Sequence, residues 1–452
     1  MDGVSRSLRG RINGNGNNRL VAVESRLQVA AIGVLVCADL LALVTSIAIV
    51  RWYFGQPSDF SRILLLIGAF SYGLGVALLE LYPGRGMLGP TRIRLRALMV
   101  LVGFISPAVV GLLLQFPQFG QAATDCVSVG VLLFLFGAFF ELVAIHLADV
   151  LGFWRSQAVY VGDPKLSARI KSDLEIYPEL GLELVDHNDG AWPSTLMQLD
   201  TFEHRDTRQA VDAHGTDAFV TDTASPLPAY YPAGRRSAGR HRGGKEVVAI
   251  ALKRMIDIAG AAVALVFLSP VLLATILGVY LADGRPVFFC QERGGKGEKK
   301  ICVWKIRSMY RDAQVRLDSV LTADPAAQKE WDRFFKLSND PRVLPGIGTF
   351  IRTTSIDELP QFWNVLNGEM SLVGPRPFPQ NHLDVFSAEF RALRARVVPG
   401  ISGLWQVTLR SNGDIDAQER LDRAYVEGWS LWLDLYILFR TPIAMLTSHG
   451  AK

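Results

Sequence analysis

Asp357 and Glu358 stand side by side in RTTSIDELPQFWNVLNGEMSLVGPRP, residues 352–377, with Arg352 upstream and Arg376 downstream. Adjacent carboxylates in a basic setting suit phosphoryl chemistry. One can attack phosphorus while the other holds a divalent cation. A structural role fits the same residues: Ser355 and Glu358 match the S-x-x-E capping box that opens helices. Pro360 argues against a helix starting at Ser355, because it would fall past the first turn and remove a hydrogen bond. A start at Asp357 or Glu358 keeps the proline within the first turn. It also sets both carboxylates at the positive end of a helix, which suits a phosphate-handling site. The pair alone leaves both readings open.

Cationic side chains gather in two further places. The stretch 285–312 holds eight Lys/Arg against three Asp/Glu. Within it PVFFCQ and KICVWKI are predicted to pair as strands about the Gly-rich turn 294–297, with Arg293 at the end of the first. Such a patch can face anionic headgroups or a lipid-linked phosphate. A solvated face accounts for Lys299 and Lys300 but less readily for the spaced Lys305 and Arg307. Arg376 is held between Pro375 and Pro377, and a planar guanidinium fixed in this way suits bidentate phosphate recognition.

DELPQFWNVLNGEMSLVGPRP, together with NDPR at 339–342 and PGISGLWQV at 399–407, resembles the catalytic domain of the monotopic phosphoglycosyl transferases. These bacterial enzymes move a sugar-1-phosphate from a nucleotide sugar to a polyprenyl phosphate. The resemblance runs from Lys253 nearly to the C-terminus. It implies that Asp357 attacks the sugar-bearing phosphate, that UMP leaves, and that undecaprenyl phosphate then takes the hexose-1-phosphate from the aspartyl intermediate. Glu358 would ligate Mg²⁺, and Lys305, Arg307, Arg352, Arg376 and Arg293 would meet phosphate charge. RVLPGIG (342–348), HLDVF (382–386), RSNGD (410–414) and WLDLYIL (432–438) look most like the galactose-1-phosphate branch, with glucose next. Asn381 stands where Tyr is usual, Ser402 where Thr is, and Gly428 where Asn is. These departures bear on the sugar rather than the reaction. A non-catalytic membrane scaffold of a polysaccharide assembly complex is the alternative, against which the intact acidic pair and basic motifs stand.

The elements that must position these groups divide into a membrane part and a soluble part. Half of the 452 residues are hydrophobic, but unevenly spread. Residues 1–26 read as a polar, disordered tail. Four apolar stretches follow within 27–150, at 27–50, 63–82, 97–114 and 126–148, each near the length that crosses a bilayer. Arginines concentrate in the tail, in the second loop (Arg85, Arg92, Arg94, Arg96) and at Arg155. The positive-inside rule therefore puts the N-terminus, the second loop and everything after Arg155 in the cytoplasm, and the resemblance implies that the membrane is the bacterial inner one. Asp39, Glu80, Glu141 and His146 lie in or near the spans. Helix–helix hydrogen bonding or an interfacial position suits them better than a transport path, since no repeat or broken-helix pair is visible.

Residues 157–223 are predicted as a reduced Rossmann-like α/β domain, with strands at AVYVGD, LGLELVD and DAFVTDT and a helix over 164–177. Only Gly162 stands where a dinucleotide fingerprint needs three glycines, so a structural or oligomerising role, with a homodimer as the expected state, is favoured over cofactor binding. Residues 224–247 read as a basic linker and 248–452 as the α/β catalytic domain. It opens on an apolar run, 255–282, interrupted by Ser269-Pro270 and flanked by basic residues at both ends. That pattern predicts a kinked re-entrant helix entering and leaving by one face. Residues 380–397 are predicted as one amphipathic helix, and 430–446 as an interfacial or core-packed one. The net charge of +4 gives no reason to expect nucleic acid as a partner, and the four cysteines show neither zinc spacing nor a disulfide framework.

Overall fold

The computed structural model describes residues 16–79, 81–82, 87–113, 119–160, 244–324, and 340–446 apart from 410–414, with short pieces at 171, 174, 180–184, 195–199, 217–221, 328 and 337. It is mostly helical, with a small α/β region. Two units divide it, Met1–Ala233 and Gly234–Lys452.

Among the described residues the first unit begins with long helices α1 (Gly16–Phe54), α2 (Asp59–Leu78), α3 (Gly89–Leu113) and α4 (Phe119–Val150). Each contains a stretch long and apolar enough to cross a membrane. Helix α1 reaches back into the segment expected to be a disordered tail. Residues 16–26 contain no proline, so helix propagates into them from the apolar run. Helix α2 opens on Ser58, whose Oγ accepts from the Ser61 amide at 3.1 Å, and α3 opens with Pro90 in its first turn.

Helix α3 also takes in Arg92, Arg94 and Arg96, which the sequence reading had placed in a loop. The reason is pairing. Arg92 Nη1 lies 2.8 Å from Glu141 Oε1, Arg96 Nη2 lies 2.9 Å from Glu141 Oε2, and Arg96 also bonds Asp39. Tyr72 donates to Asp39 at 3.2 Å. Buried charges are tolerable only when partnered in this way. Asp39 and Glu141 therefore tie helices together, as expected; Glu80 lies outside the described residues.

Four parallel strands follow: β1 (Ser156–Tyr160), β2 (Leu182–Leu184), β3 (Thr195–Leu199) and β4 (Asp217–Thr221), in the order β2–β1–β3–β4. The sequence reading missed β3, whose TLMQL is too short to show a clear period. Gly162, nearly all of the helix expected over 164–177 and most of the linker lie outside the described residues.

The second unit opens on α5 (Gly244–Asp283), a single helix of 40 residues that continues through Pro270. Proline cannot donate to the carbonyl of Val266, and Ser269 Oγ donates to it instead at 2.7 Å. The antiparallel ribbon β5 (Phe288–Gly294) and β6 (Lys300–Ile306) then forms in the register Phe288↔Ile306 to Gly294↔Lys300, as predicted. It corrects one expectation, because Cys290 and Cys302 are joined by a disulfide. They lie on one face of the ribbon, diagonal to each other, with Cα atoms 5.4 Å apart.

Helices α6 (Ala313–Ala323), α7 (Ile347–Thr354) and α8 (Gln361–Asn367) follow, then the parallel pair β7 (Ser371–Val373) and β8 (Gly400–Ser402). The amphipathic helix expected over 380–397 is broken. Ser387 caps a fresh helix, α9 (Ala388–Arg394), accepting from the Phe390 amide at 3.2 Å. Helices α10 (Ile415–Glu427) and α11 (Leu431–Leu446) close the described chain, and α11 buries Leu433, Asp434, Tyr436 and Ile437. That burial makes its inner face part of the core.

Candidate active site

Asp357 and Glu358 lie in a 3-10 turn, Ile356–Glu358, between α7 and α8. Ser355 ends α7 in the left-handed region, φ 56°, and its side chain makes no capping bond. The capping-box reading therefore does not hold. Nor does the expectation that the carboxylates sit in the first helical turn, because α8 starts only at Gln361 with Pro360 as its N-cap. The left-handed turn redirects the chain, and the 3-10 bond from Leu359 N to Ile356 O (3.1 Å) presents both carboxylates on one short loop.

Asn364 fixes this loop against the ribbon. It is fully buried, accepts from Trp304 N at 3.1 Å, and donates to Cys302 O at 2.7 Å. Strand β6 then carries Lys305 to the pair, with Nζ 3.2 Å from Asp357 Oδ2 and 3.0 Å from Glu358 Oε1. From the other side Arg376 Nη2 reaches Glu358 Oε1 at 2.6 Å.

These neighbours separate the two acids. Burial raises the Asp357 pKa above the ordinary aspartate value, Lys305 only partly opposes it, and the Glu358 charge adds to the rise. Burial would raise Glu358 as well, but Arg376 and Lys305 outweigh it and hold that carboxyl at about 2. Neighbouring carboxyls whose pKa values are driven apart are the usual mark of divided acid–base or nucleophile–stabiliser roles.

Arg376 owes its direction to the backbone around it. Gly374 N donates to Ser402 O at 2.9 Å and Gly400 N donates to Pro375 O at 3.0 Å, so the segment is locked onto β8. Arg394 donates to the Arg376 carbonyl and stacks over Phe378, 4.3 Å from its centroid. Behind it lies Asp422, 3.0 Å from Arg394 Nε; burial, only partly countered by Arg394, raises the Asp422 carboxyl to about 6. Sequence reading missed Asn364, Arg394 and Asp422, because each acts through tertiary contacts that no local pattern announces.

The structure brings Lys305 and Arg376 to the acidic pair but not every cation expected there. Arg307 is buried on Asp283 and donates to Gly284 O at 2.8 Å, closing the end of α5. Arg352, half-exposed on α7, lies 3.8 Å from Asp340, which Arg342 also grips at 2.7 Å. Both placements share a cause: a nearer carboxylate or carbonyl claims the guanidinium. Arg293 lines a cleft of about 370 Å³ that opens beside Arg376, between Gly294–Gly295 of the ribbon and α9. Ser269 and Pro270 lie on α5 among exposed apolar side chains, including Val266 and Phe267. Among the described residues no three His, Cys, Asp or Glu gather as a metal group on their own.

Residues 248–448 match the family model described as bacterial sugar transferase. Over 200 residues the chain is 43% identical to a UDP-galactose-lipid carrier transferase of Erwinia amylovora, covering 44% of this chain and 41% of that protein. Over 201 residues it is 42% identical to an undecaprenyl-phosphate galactose phosphotransferase of Salmonella typhimurium, covering 44% and 41% respectively. Over 200 residues it is 38% identical to the exopolysaccharide production protein ExoY of Rhizobium meliloti, covering 44% of this chain and 87% of that one. The match thus spans about two fifths of the first two relatives and most of the third.

Proposed function

This chain belongs to the bacterial sugar transferase family, and we propose that it transfers a hexose-1-phosphate from a UDP-sugar to undecaprenyl phosphate, releasing UMP. Galactose is the first choice of sugar and glucose the second. The observation that carries the reading is the acidic pair itself, bracketed by Lys305 and Arg376 with its two carboxyls driven to different pKa values.

In this mechanism an Asp357 carboxylate oxygen attacks the phosphorus that bears the sugar. The bond from that phosphorus to the bridging oxygen breaks, and its electron pair leaves with UMP. An oxygen of undecaprenyl phosphate then attacks the same phosphorus, restoring the Asp357 carboxylate and forming the lipid diphosphate sugar. Lys305 and Arg376 neutralise charge on the transferring phosphoryl group. Lys305 also holds Asp357 in place.

A Mg²⁺ ion fits this donor set. Magnesium is commonly held by one or two carboxylates and completed by substrate phosphates and water, and Glu358, beside the nucleophile, offers one such carboxylate. Glu358, kept ionised, would be its ligand, and the ion would supply charge stabilisation to the phosphates. Purified protein given UDP-galactose, UDP-glucose and undecaprenyl phosphate should release UMP with lipid-linked hexose as the co-product. Release of no UMP from any UDP-hexose would favour the scaffold reading.

The same proposal places α5 as a re-entrant helix with both ends at the cytoplasmic face. Near its start Lys253 Nζ donates to Val373 O at 2.9 Å, and Asp257 accepts from the Leu372 amide at 2.9 Å. Near its end Val279 packs with Ile306, Leu344 and Ile351, and Asp283 takes Arg307. Both ends thus grip the same unit, while the exposed apolar middle around Pro270 is free to enter lipid. Cysteines introduced at Leu252 and Arg285 should be labelled from the same side of sealed vesicles. Opposite labelling would mean a crossing helix and would move the active site to the other face.

A further inference from the structure

The cleft beside Arg376 contains several cations, and most are already engaged. Arg376 is on Glu358 at 2.6 Å, Arg394 on Asp422 at 3.0 Å, Arg391 on Asp384 at 3.3 Å, and Lys300 on Glu292 at 3.1 Å. Arg293 is the exception, with no carboxylate within 4 Å among the described residues and Gln291 Oε1 at 2.7 Å as its side-chain acceptor. Burial together with the nearby Arg376 charge lowers its pKa. The Glu358 charge opposes that fall from a distance, but no carboxylate among the described residues pairs with Arg293 directly, and a half-withdrawn guanidinium in that position is poised for an anion. Its position is equally informative: Arg376 touches the acidic pair on one side and lines the cleft on the other, so a ligand can pass from Asp357 along Arg376 to Arg293. The cleft volume of about 370 Å³ falls at the small end of the range for ligand pockets.

We propose that this cleft holds the nucleoside monophosphate half of the donor, with Arg293 on the phosphate that departs. The inference rests on the donor reading above and adds where the leaving group sits. As the bond to the bridging oxygen breaks, its electron pair becomes extra negative charge on that phosphate. Arg293 meets this charge, and the nucleoside lies along the cleft wall that Gly294, Gly295 and Leu383 form beside it. The sugar then lies on the far side of the acidic pair, outside the cleft.

UMP itself is the probe. On the full-length purified protein its affinity is measured by calorimetry, and its inhibition of hexose-phosphate labelling is measured in parallel, with galactose-1-phosphate as comparison. Arg293→Ala should weaken UMP about 10- to 100-fold, the range of a hydrogen bond to a charged group. It should leave galactose-1-phosphate inhibition unchanged, and Arg293→Lys should recover part of the loss. Ala388→Phe, which narrows the cleft from the exposed start of α9 and leaves Arg293 intact, should weaken UMP as well. Unchanged UMP affinity in both Arg293→Ala and Ala388→Phe overturns the proposal, as does selective loss of galactose-1-phosphate, which would assign the cleft to the sugar. Failure of wild type to take label from any UDP-hexose would instead remove the donor reading, and UMP calorimetry would still decide what the cleft binds.

Discussion

Asp357→Asn is expected to fold as wild type does and to lose transfer by at least about 10³-fold, the scale seen when a covalent enzyme loses its nucleophile. The substitution keeps size and shape but removes the charge that attacks phosphorus. It also removes the ion pair with Lys305, whose Nζ stays anchored by Glu358 at 3.0 Å, so little unfolding follows. With the lipid acceptor omitted, labelled UDP-hexose should leave sugar phosphate on wild type and none on Asp357→Asn. The pH dependence should carry the same signature. Asp357 must be ionised to attack, and its pKa is raised, so labelling should fall on acidification at a pH above the ordinary aspartate range near 3.9. Glu358, held at about 2, stays ionised throughout that fall. Its depressed pKa contributes stability that is present above the unfolded glutamate value near 4.3 and lost as pH drops toward 2. Loss of activity should therefore precede acid unfolding. Normal turnover by Asp357→Asn, or transfer by wild type with no label trapped after rapid quenching, would remove the aspartyl intermediate.

The residues that gather at the acidic pair were legible in the sequence where their placement is set by local geometry. Asp357 and Glu358 are adjacent, Arg376 is clamped by prolines, and Lys305 projects from a strand whose pairing the Gly-rich turn announces. The partners of Arg307 and Arg352 were not legible. A basic residue near an active-site motif carries no mark of which carboxylate will claim it, and Asp283 and Asp340 are brought near only by the fold. Arg92 and Arg96 show the same limit. Counted as loop charges they gave an orientation, yet their place on α3 is set by Glu141 and Asp39, 49 and 57 residues away in sequence. The supports of the site were the least visible. Asn364, Arg394 and Asp422 work through backbone carbonyls and buried pairs, which leave no periodic trace.

Gly400→Ala should be the most damaging single methyl in the second unit. A Cβ there would lie 2.0 Å from Gly374 N and 2.6 Å from Gly374 Cα. These are backbone atoms of the facing strand, and no rotamer change can clear them. Strands β7 and β8 must then separate, straining the bonds Gly374 N to Ser402 O and Gly400 N to Pro375 O that aim Arg376 at Glu358. Overpacking usually costs 1–3 kcal/mol, and a clash with backbone belongs at or above the top of that range. At about 3 kcal/mol a unit of this size should lose roughly 6–12 °C in Tm. A displacement of Arg376 by about 1 Å should lower transfer by about 10²-fold even where the protein stays folded. Gly260→Ala is the control: its Cβ meets the Leu372 Cδ1 methyl at 2.6 Å, the end of a side chain that can rotate away. Its Tm should fall by far less, and its transfer rate should stay near wild type. If Gly400→Ala matched Gly260→Ala in both Tm and rate, the tight crossing of β7 and β8 would not be what holds Arg376.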